Sequence, residues 1–85
     1  MEAKSTHMLR VRLRLKGGLE AYAPGKASTH VVEVAPGSNV ADALRLLGIP
    51  VHEVMGAISG GVLKHLDQPL NEGEELEVLP VVAGG

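Results

Sequence analysis

Residues 9 to 16 read LRVRLRLK and alternate apolar and basic side chains without a break. An extended chain points successive side chains to opposite faces, so this order separates the two kinds completely, whereas a helix would mix them. The segment therefore predicts a β-strand with one buried and one solvated face, and a second layer must cover the buried face. The apolar face consists of Leu9, Val11, Leu13 and Leu15, and the basic face of Arg10, Arg12, Arg14 and Lys16.

A single helix is predicted to form that second layer, because the sequence marks both of its ends. Asn39 is a preferred cap residue, and Asp42 three residues later forms a weak capping box with it. Gly48 suits the left-handed position after the last turn, and Pro50 prevents the helix from continuing. The apolar stripe of the helix, spaced i, i+3, i+4 and i+7, consists of Val40, Ala43, Leu44 and Leu47.

Further strands are predicted from short apolar runs between turn residues. They are THVVEVA (29–35), the end of VHEVMGAIS (51–59), VLKHL (62–66) and EELEVLP (74–80). Residues 17–28 form a wide connection, with one helical turn predicted at 19–22. The order strand, strand, helix, strand, short strand, strand predicts an α+β domain in which one helix covers one face of a sheet.

The composition is that of one small globular domain. The 85 residues are 45% hydrophobic and Tyr22 is the single aromatic residue, so the core must be built from aliphatic side chains. A net charge of −2 gives no overall attraction to nucleic acid or to an anionic membrane. The chain has no cysteine, no apolar run of membrane-spanning length and no signal-peptide core, so a cytoplasmic location is expected.

The first residues, MEAKSTHM, show no periodicity. His7-Met8 is the dipeptide that a common cloning junction leaves, and we interpret residues 1–7 as a tag remnant or a flexible arm. The domain is then expected to span residues 8–80, followed by a flexible tail at 81–85.

Residues that could support catalysis are scattered along the chain. The four histidines lie far apart without the spacing of a metal site. Ser59 lacks the G-x-S-x-G pattern of a nucleophile elbow, and SGG at 59–61 lacks the remainder of a phosphate-binding loop. We therefore expect no catalytic set and no metal site.

The basic face of the first strand has two interpretations. It could bind nucleic acid, or it could pair with Glu33, Glu75 and Glu77, which point outward from the predicted neighbouring strands by the same parity. A single tyrosine provides no stacking platform for bases, so cross-strand ion pairs are the favoured interpretation and no nucleic-acid partner is expected.

The C-terminal sequence LPVVAGG suits a segment that another protein threads into a narrow site. Pro80 has no amide hydrogen and weakens the ladder at the end of the last strand. Gly84 and Gly85 have no Cβ, so the walls of a partner can close around their backbone and receive the carboxylate of Gly85. The uncharged residues between are Val81, Val82 and Ala83. A frayed end without a role is the alternative interpretation.

These segments resemble the MoaD/ThiS family of ubiquitin-like sulfur carriers, the small subunits of molybdopterin synthase and their relatives in thiamine synthesis. LEAYAPGK (19–26) is similar to the segment after the first strand in the molybdopterin branch, and NVADALRLLGIP (39–50) to the capped helix. PLNEGEELEVLPVVAGG (69–85) resembles the final turn, strand and tail most closely. The resemblance covers about residues 9–85. It implies the β-grasp fold, with a mixed sheet of four to five strands and one main helix on one face.

The resemblance also implies a chemistry for the terminal residue. An E1-like adenylyltransferase of the MoeB/ThiF type would use MgATP to adenylate Gly85, and a sulfur donor would displace AMP to leave a thiocarboxylate. A MoaE-type large subunit of molybdopterin synthase, or thiazole synthase, would then receive the sulfur. The protein would be a cosubstrate or non-catalytic subunit, monomeric when free, and it would bind no cofactor itself.

Docking is expected on the sheet face opposite the helix, near the tail. By parity Leu79 points away from the helix, and Val62 corresponds to a hydrophobic contact position in the family. The length and the wide 17–28 connection favour the molybdopterin branch over thiamine synthesis. Two other classes stay open, a protein modifier conjugated through Gly85 and a plain binding module that uses the basic strand.

Overall fold

The computed structural model describes residues 7–81, and each predicted element is present in it. The strands are β1 (Leu9–Leu15), β2 (Thr29–Val34), β3 (Val54–Ser59), β4 (Val62–Lys64) and β5 (Glu75–Pro80). The helix α1 spans Val40–Leu46, and short 3₁₀ turns occupy Leu19–Tyr22, Pro24–Lys26 and Val51–Glu53. The helical turn predicted in the wide connection is therefore confirmed, and a second turn follows it.

The strands form one mixed sheet in the order β2-β1-β5-β3-β4. β1 and β5, the first and the last strand, are parallel neighbours in its centre, whereas the other pairs are antiparallel. Parallel neighbours need a long crossover between them, and here it includes α1, which covers one face of the sheet. The predicted α+β arrangement is confirmed.

The hydrophobic core lies between α1 and the sheet face that α1 covers, which we call the inner face. On the apolar side of β1, Val11, Leu13 and Leu15 are at most 3% exposed, and Leu9 is partly buried against the core. The helix stripe is also buried as predicted. Facing strands and loops add Leu19, Val32, Val34, Ile49, Val54, Ala57, Leu70, Leu76 and Val78. The described part of this core is aliphatic throughout, as the composition requires.

The ends of α1 form as the sequence predicts. The Asp42 amide donates to Asn39 Oδ1 at 2.9 Å, and the Asn39 amide donates to Asp42 Oδ2 at 3.0 Å, which completes a capping box. At the other end Gly48 has a φ of 79°, and the Ile49 amide donates back to the Leu44 carbonyl at 3.0 Å. The reversal places Ile49 in the core.

Three of the four basic residues of β1 form cross-strand ion pairs, as predicted. They join Arg10 Nη2 to Glu33 Oε2 at 3.4 Å, Arg12 Nη1 to Glu75 Oε2 at 3.6 Å, and Lys16 Nζ to Glu77 Oε2 at 3.2 Å. All six side chains remain at least 43% exposed. Exposed pairs of this kind contribute about 0–1 kcal/mol each, so they neutralise the surface more than they stabilise the fold.

A shielded polar cluster closes one end of the sheet and was not predicted. The Lys64 ammonium donates to Glu74 Oε2 at 2.6 Å, and their side chains are only 13% and 10% exposed. Ser59 Oγ donates to the same oxygen at 2.5 Å, and the Asn71 amide donates to Oε1 at 2.9 Å. Glu74 thereby ties the β3–β4 hairpin to the turn before β5.

The partners of Glu74 favour its charged form. Burial alone would raise the pKa of this carboxyl, but the hydrogen bonds from Lys64, Ser59 and the Asn71 amide outweigh burial, so the pKa lies below its usual 4.5.

No helix among residues 7–81 has both the length and the apolar character needed to cross a membrane.

Replacing Glu74 with glutamine should lower the free energy of unfolding at pH 7 by about 1–3 kcal/mol, because Lys64 then stays largely buried without a counter-charge. Folding lowers the pKa of Glu74, so its contribution is complete above about pH 4.5 and is lost as the pH falls through the folded-state pKa. Urea unfolding followed by circular dichroism should therefore show the two proteins converging in stability below about pH 4.5.

Glu75 provides the matched control, because it is the adjacent glutamate and pairs with Arg12 while 65% of its side chain is exposed. Glu75→Gln should change the free energy of unfolding by about 0.5 kcal/mol or less. Equal destabilisation by the two variants at pH 7 would show that shielding of the Glu74 cluster adds nothing.

Candidate docking face and tail exit

The predicted site residues fall into two groups in the structure. Leu79, Pro80, Val81 and Val62 lie among the described residues 7–81. The other predicted members, Val82, Ala83, Gly84 and Gly85, lie outside the described residues, so their roles stay predictions.

β5 ends at Pro80, next to the start of β3. Pro80 is paired with Val54, and the amide of the next residue, Val81, donates to the Glu53 carbonyl at 2.8 Å. Glu53 closes the 3₁₀ turn that leads into β3. The backbone is therefore held through Val81, one residue past the end of the strand.

Leu79 lies on the sheet face opposite α1, which we call the outer face. It alternates along β5 with Val78, which is fully buried on the inner face, and it pairs with Gly56 of β3. Ile58 and Leu63 also lie on the outer face. Ile58 pairs with Glu77, which points to the same face of β5 as Leu79, and Leu63 pairs with Ile58. Ile58, Leu63 and Leu79 form an apolar patch on the outer face.

The absence of a side chain on Gly56 leaves the space on the outer face that Leu63 occupies. A Cβ atom on Gly56 would lie 2.9 Å from the Lys64 carbonyl oxygen and 3.3 Å from Cδ1 of Leu63. A side chain at position 56 would therefore push Leu63 away, whereas glycine allows Leu63 to lie across β3 towards Leu79. Leu63 is still 42% exposed, so the patch is accessible to a partner.

Val62 does not belong to this patch. Val62 pairs with Ser59, which points to the same face as the buried residue Ala57. Val62 therefore lies on the inner face of the sheet. Its side chain extends past the protected part of that face and is 68% exposed. The structure thus separates Val62 from Leu79, the two docking residues that the sequence predicted.

Ile58 and Leu63 are the outer-face residues that sequence reasoning missed. The signal was present in part, because Leu63 follows Val62 in the predicted strand VLKHL. Which of the two points outward depends on the register of β4 against β3, and a tight turn through Gly60 and Gly61 sets that register.

The outer face also carries the ion pairs of β1, so it has a charged half on β2, β1 and β5 and an apolar part on β3, β4 and the end of β5. Two shallow depressions on this face have volumes of about 120 and 180 Å³. Small-molecule sites usually measure about 300–1,000 Å³, so the shape suits contact with a protein surface better than a buried ligand. Among residues 7–81, no group of three His, Asp or Glu side chains is arranged to hold a metal ion.

Comparison with known proteins gives one family and several solved structures. The model of the ThiS family matches residues 21–85. No curated protein matches the chain in sequence.

The solved structures agree in fold. Subunit 1 of a molybdopterin converting factor from Pyrococcus furiosus has a TM-score of 0.66 at 16% identity, covering 87% of this chain and 99% of that one. SAMP1 from Haloferax volcanii has a TM-score of 0.66 at 23% identity, covering 89% and 99%. Caldiarchaeum subterraneum ubiquitin has a TM-score of 0.59 at 15% identity, covering 93% and 100%. At these identities the likeness shows the fold, and the predicted ubiquitin-like β-grasp is confirmed.

Proposed function

The chain belongs to the ThiS family of ubiquitin-like sulfur carriers, and from this premise we propose that it carries sulfur on the carboxyl group of Gly85 for the synthesis of molybdopterin. The observation that carries the proposal is the extent of the family match, which runs from residue 21 through Gly84 and Gly85. The match includes residues 69–85, so it supports the resemblance of the final turn, strand and tail to this family.

The proposed chemistry needs no catalytic side chain from this protein. An oxygen of the Gly85 carboxylate attacks the α-phosphorus of ATP in the activating enzyme, and pyrophosphate leaves. A hydrosulfide donor then attacks the acyl carbon, AMP departs with the electron pair of the broken C–O bond, and loss of a proton leaves a thiocarboxylate. The sulfur is the nucleophile in the next step, and hydrolysis of the resulting thioester returns the carboxylate.

Adenylation explains why the carrier requires a partner. A carboxylate is a poor acyl donor because its charge is delocalised over both oxygens, whereas the mixed anhydride with AMP has a good leaving group. ATP is then the cosubstrate of an E1-like adenylyltransferase, and the carrier itself holds no resident cofactor.

The apolar patch on the outer face is the proposed docking surface for that enzyme. It lies beside the point where β5 ends, so a protein that covers Leu63 and Leu79 would also meet the backbone emerging at Val81. Half-exposed aliphatic residues next to a largely ion-paired charged area are suited to an interface that must form and dissociate in each cycle.

The molybdopterin branch is supported by residues 19–26. LEAYAPGK resembles that branch, and its two short turns bury Leu19 and Ala23 in the core. Sulfur delivery to thiazole synthase is the second candidate, because the family model that matches is named for the thiamine-pathway carrier. The receiving enzyme distinguishes them, since only the correct one would consume the thiocarboxylate.

Intact mass spectrometry tests the sulfur-carrier proposal directly. The full chain, without a C-terminal tag, is coexpressed with the E1-like enzyme of the same organism and a sulfur donor. We expect a mass increase equal to the exchange of one oxygen for sulfur, located in the C-terminal peptide. An unchanged mass, in a sample where the activating enzyme turns over a known carrier, contradicts the proposal.

Conjugation to other proteins is tested in the same cells. A protein modifier would give higher-mass adducts containing an isopeptide bond from Gly85 to lysine, and the adducts would disappear when Gly85 is deleted. We expect no such adducts under conditions where the thiocarboxylate accumulates.

Leu63→Asp should weaken binding to the activating enzyme at least about tenfold, because an unpaired carboxylate would be buried in the apolar contact. Val62→Asp is the matched control, since it places the same charge on the neighbouring residue, which is more exposed but lies on the other side of the sheet. It should change Kd by about threefold or less. Isothermal titration calorimetry measures both, and a larger effect at position 62 would move the docking surface to the opposite face.

A further inference from the structure

The turn after β1 contacts the last residue of β5. A Cβ atom built on Gly17 would lie 2.5 Å from Cγ of Pro80, 3.3 Å from its Cδ and 3.4 Å from its Cβ. Real Cβ atoms do not approach another carbon so closely, so the proline ring fills the space that any side chain at position 17 would need. Position 17 therefore requires glycine for two reasons: the ring of Pro80 occupies the space of a side chain, and the φ of +59° is strained for other residues.

Contacts on both sides hold the chain at this point. The last described bond from β1 to β5 joins the Lys16 amide to the Val78 carbonyl at 3.3 Å, and Pro80 has no amide hydrogen with which to extend the ladder. Across β5, Pro80 pairs with Val54, and the Val81 amide binds the Glu53 carbonyl at 2.8 Å. We call the Gly17–Pro80 contact together with the Val81–Glu53 hydrogen bond the tail clamp.

The tail clamp fixes the position of Val81, the residue that precedes the last four residues of the sequence. Four residues, 82–85, follow Val81 in the sequence. Even fully extended they span at most about 14 Å, so the position and direction of Val81 limit where the carboxyl group of Gly85 can reach. A reacting group displaced by about 1 Å can lose about a hundredfold in rate, so a fixed origin matters for so short a tail.

We propose that Gly17 is a positioning residue for the acyl group of Gly85: by leaving room for the ring of Pro80, it sets the point and direction from which the tail enters the active site of an adenylating enzyme. This inference rests on the proposed function for its chemistry. The clamp itself is a property of the free protein and can be measured without any partner.

Gly17→Ala and Gly18→Ala form a matched pair for the test. Both glycines have positive φ, +59° and +88°, so alanine is strained at either position. A Cβ on Gly18 would meet nothing within 4 Å, whereas a Cβ on Gly17 would meet Pro80. The two variants therefore share the backbone strain and differ in the clamp.

Hydrogen exchange at the Val81 amide is the first readout. We expect Gly17→Ala to speed this exchange at least about tenfold relative to Gly18→Ala, because displacement of Pro80 breaks the bond to Glu53. Amides in the middle of β1 and β5 should exchange equally in the two variants. Equal exchange at Val81 would show that no clamp depends on Gly17.

The rate of pyrophosphate release with the E1-like enzyme and MgATP is the second readout. For Gly17→Ala we expect kcat to fall about tenfold or more, while KM for the carrier changes by about threefold or less, because the apolar patch still docks. Gly18→Ala should match the wild type. An unchanged kcat in Gly17→Ala, with Val81 exchange accelerated, would overturn the positioning role.

Pro80→Ala approaches the same contact from the other side and introduces no side chain at a left-handed residue. It removes Cγ and Cδ, the ring atoms nearest to Gly17, and should reproduce the loss of kcat in a folded protein. Wild-type kcat in Pro80→Ala would overturn the inference. If the wild-type chain is not adenylated at all, the proposed function fails and the positioning role fails with it, while Val81 exchange still decides whether the clamp exists.

Discussion

The pairing of the first strand with the last, side by side and parallel in the centre of the sheet, is the constraint on which the rest of the structure depends. On the inner face it brings Leu13 beside Leu76 and Leu15 beside Val78, all at most 3% exposed. These contacts close the longest loop in the domain, so their entropic cost is repaid only when α1 and the other strands complete the core. Because β5 is an inner strand with a neighbour on each side, its backbone is held in the sheet and, at Val81, by a hydrogen bond to Glu53.

The outer face of the sheet has two regions of different chemical character. Three of the four basic residues on β1 pair with glutamates of the two neighbouring strands, and these ion pairs leave this half of the face polar and largely charge-compensated. Ile58, Leu63 and Leu79 lack such charges and lie next to the strand end that leads to the tail. Under the proposed function, a partner that binds the apolar patch is thereby brought to the tail, where we place the chemistry. In the proposed function the globular body orients an acyl group, and the partner supplies the catalytic side chains.

Much of this architecture could be predicted from the sequence, and the failures have a common cause. The alternation in β1, the capping box of Asn39 and Asp42, and the reversal at Gly48 are decided by residues close together in the chain, and all were confirmed. The Glu74–Lys64 pair, the position of Leu63 over Gly56 and the contact of Gly17 with Pro80 join residues that lie 7 to 63 positions apart. Periodicity and turn signals contain no information on such contacts, because they depend on which strands pair and in which register.

The sequence alone determined that this chain is an aliphatic α+β domain with one capped helix, a strand with one apolar and one basic face, and a glycine-ended tail. Each of these follows from short-range effects: side-chain alternation, capping hydrogen bonds and the missing Cβ of glycine. The tertiary structure alone decided that Val62 and Leu79 lie on different sides of the sheet, that Leu63 joins Leu79, and that Pro80 is seated against Gly17. A register shift of one residue would reverse the face of every side chain in β4, and the conformation of the Gly60-Gly61 turn, which fixes that register, is known only from the folded hairpin.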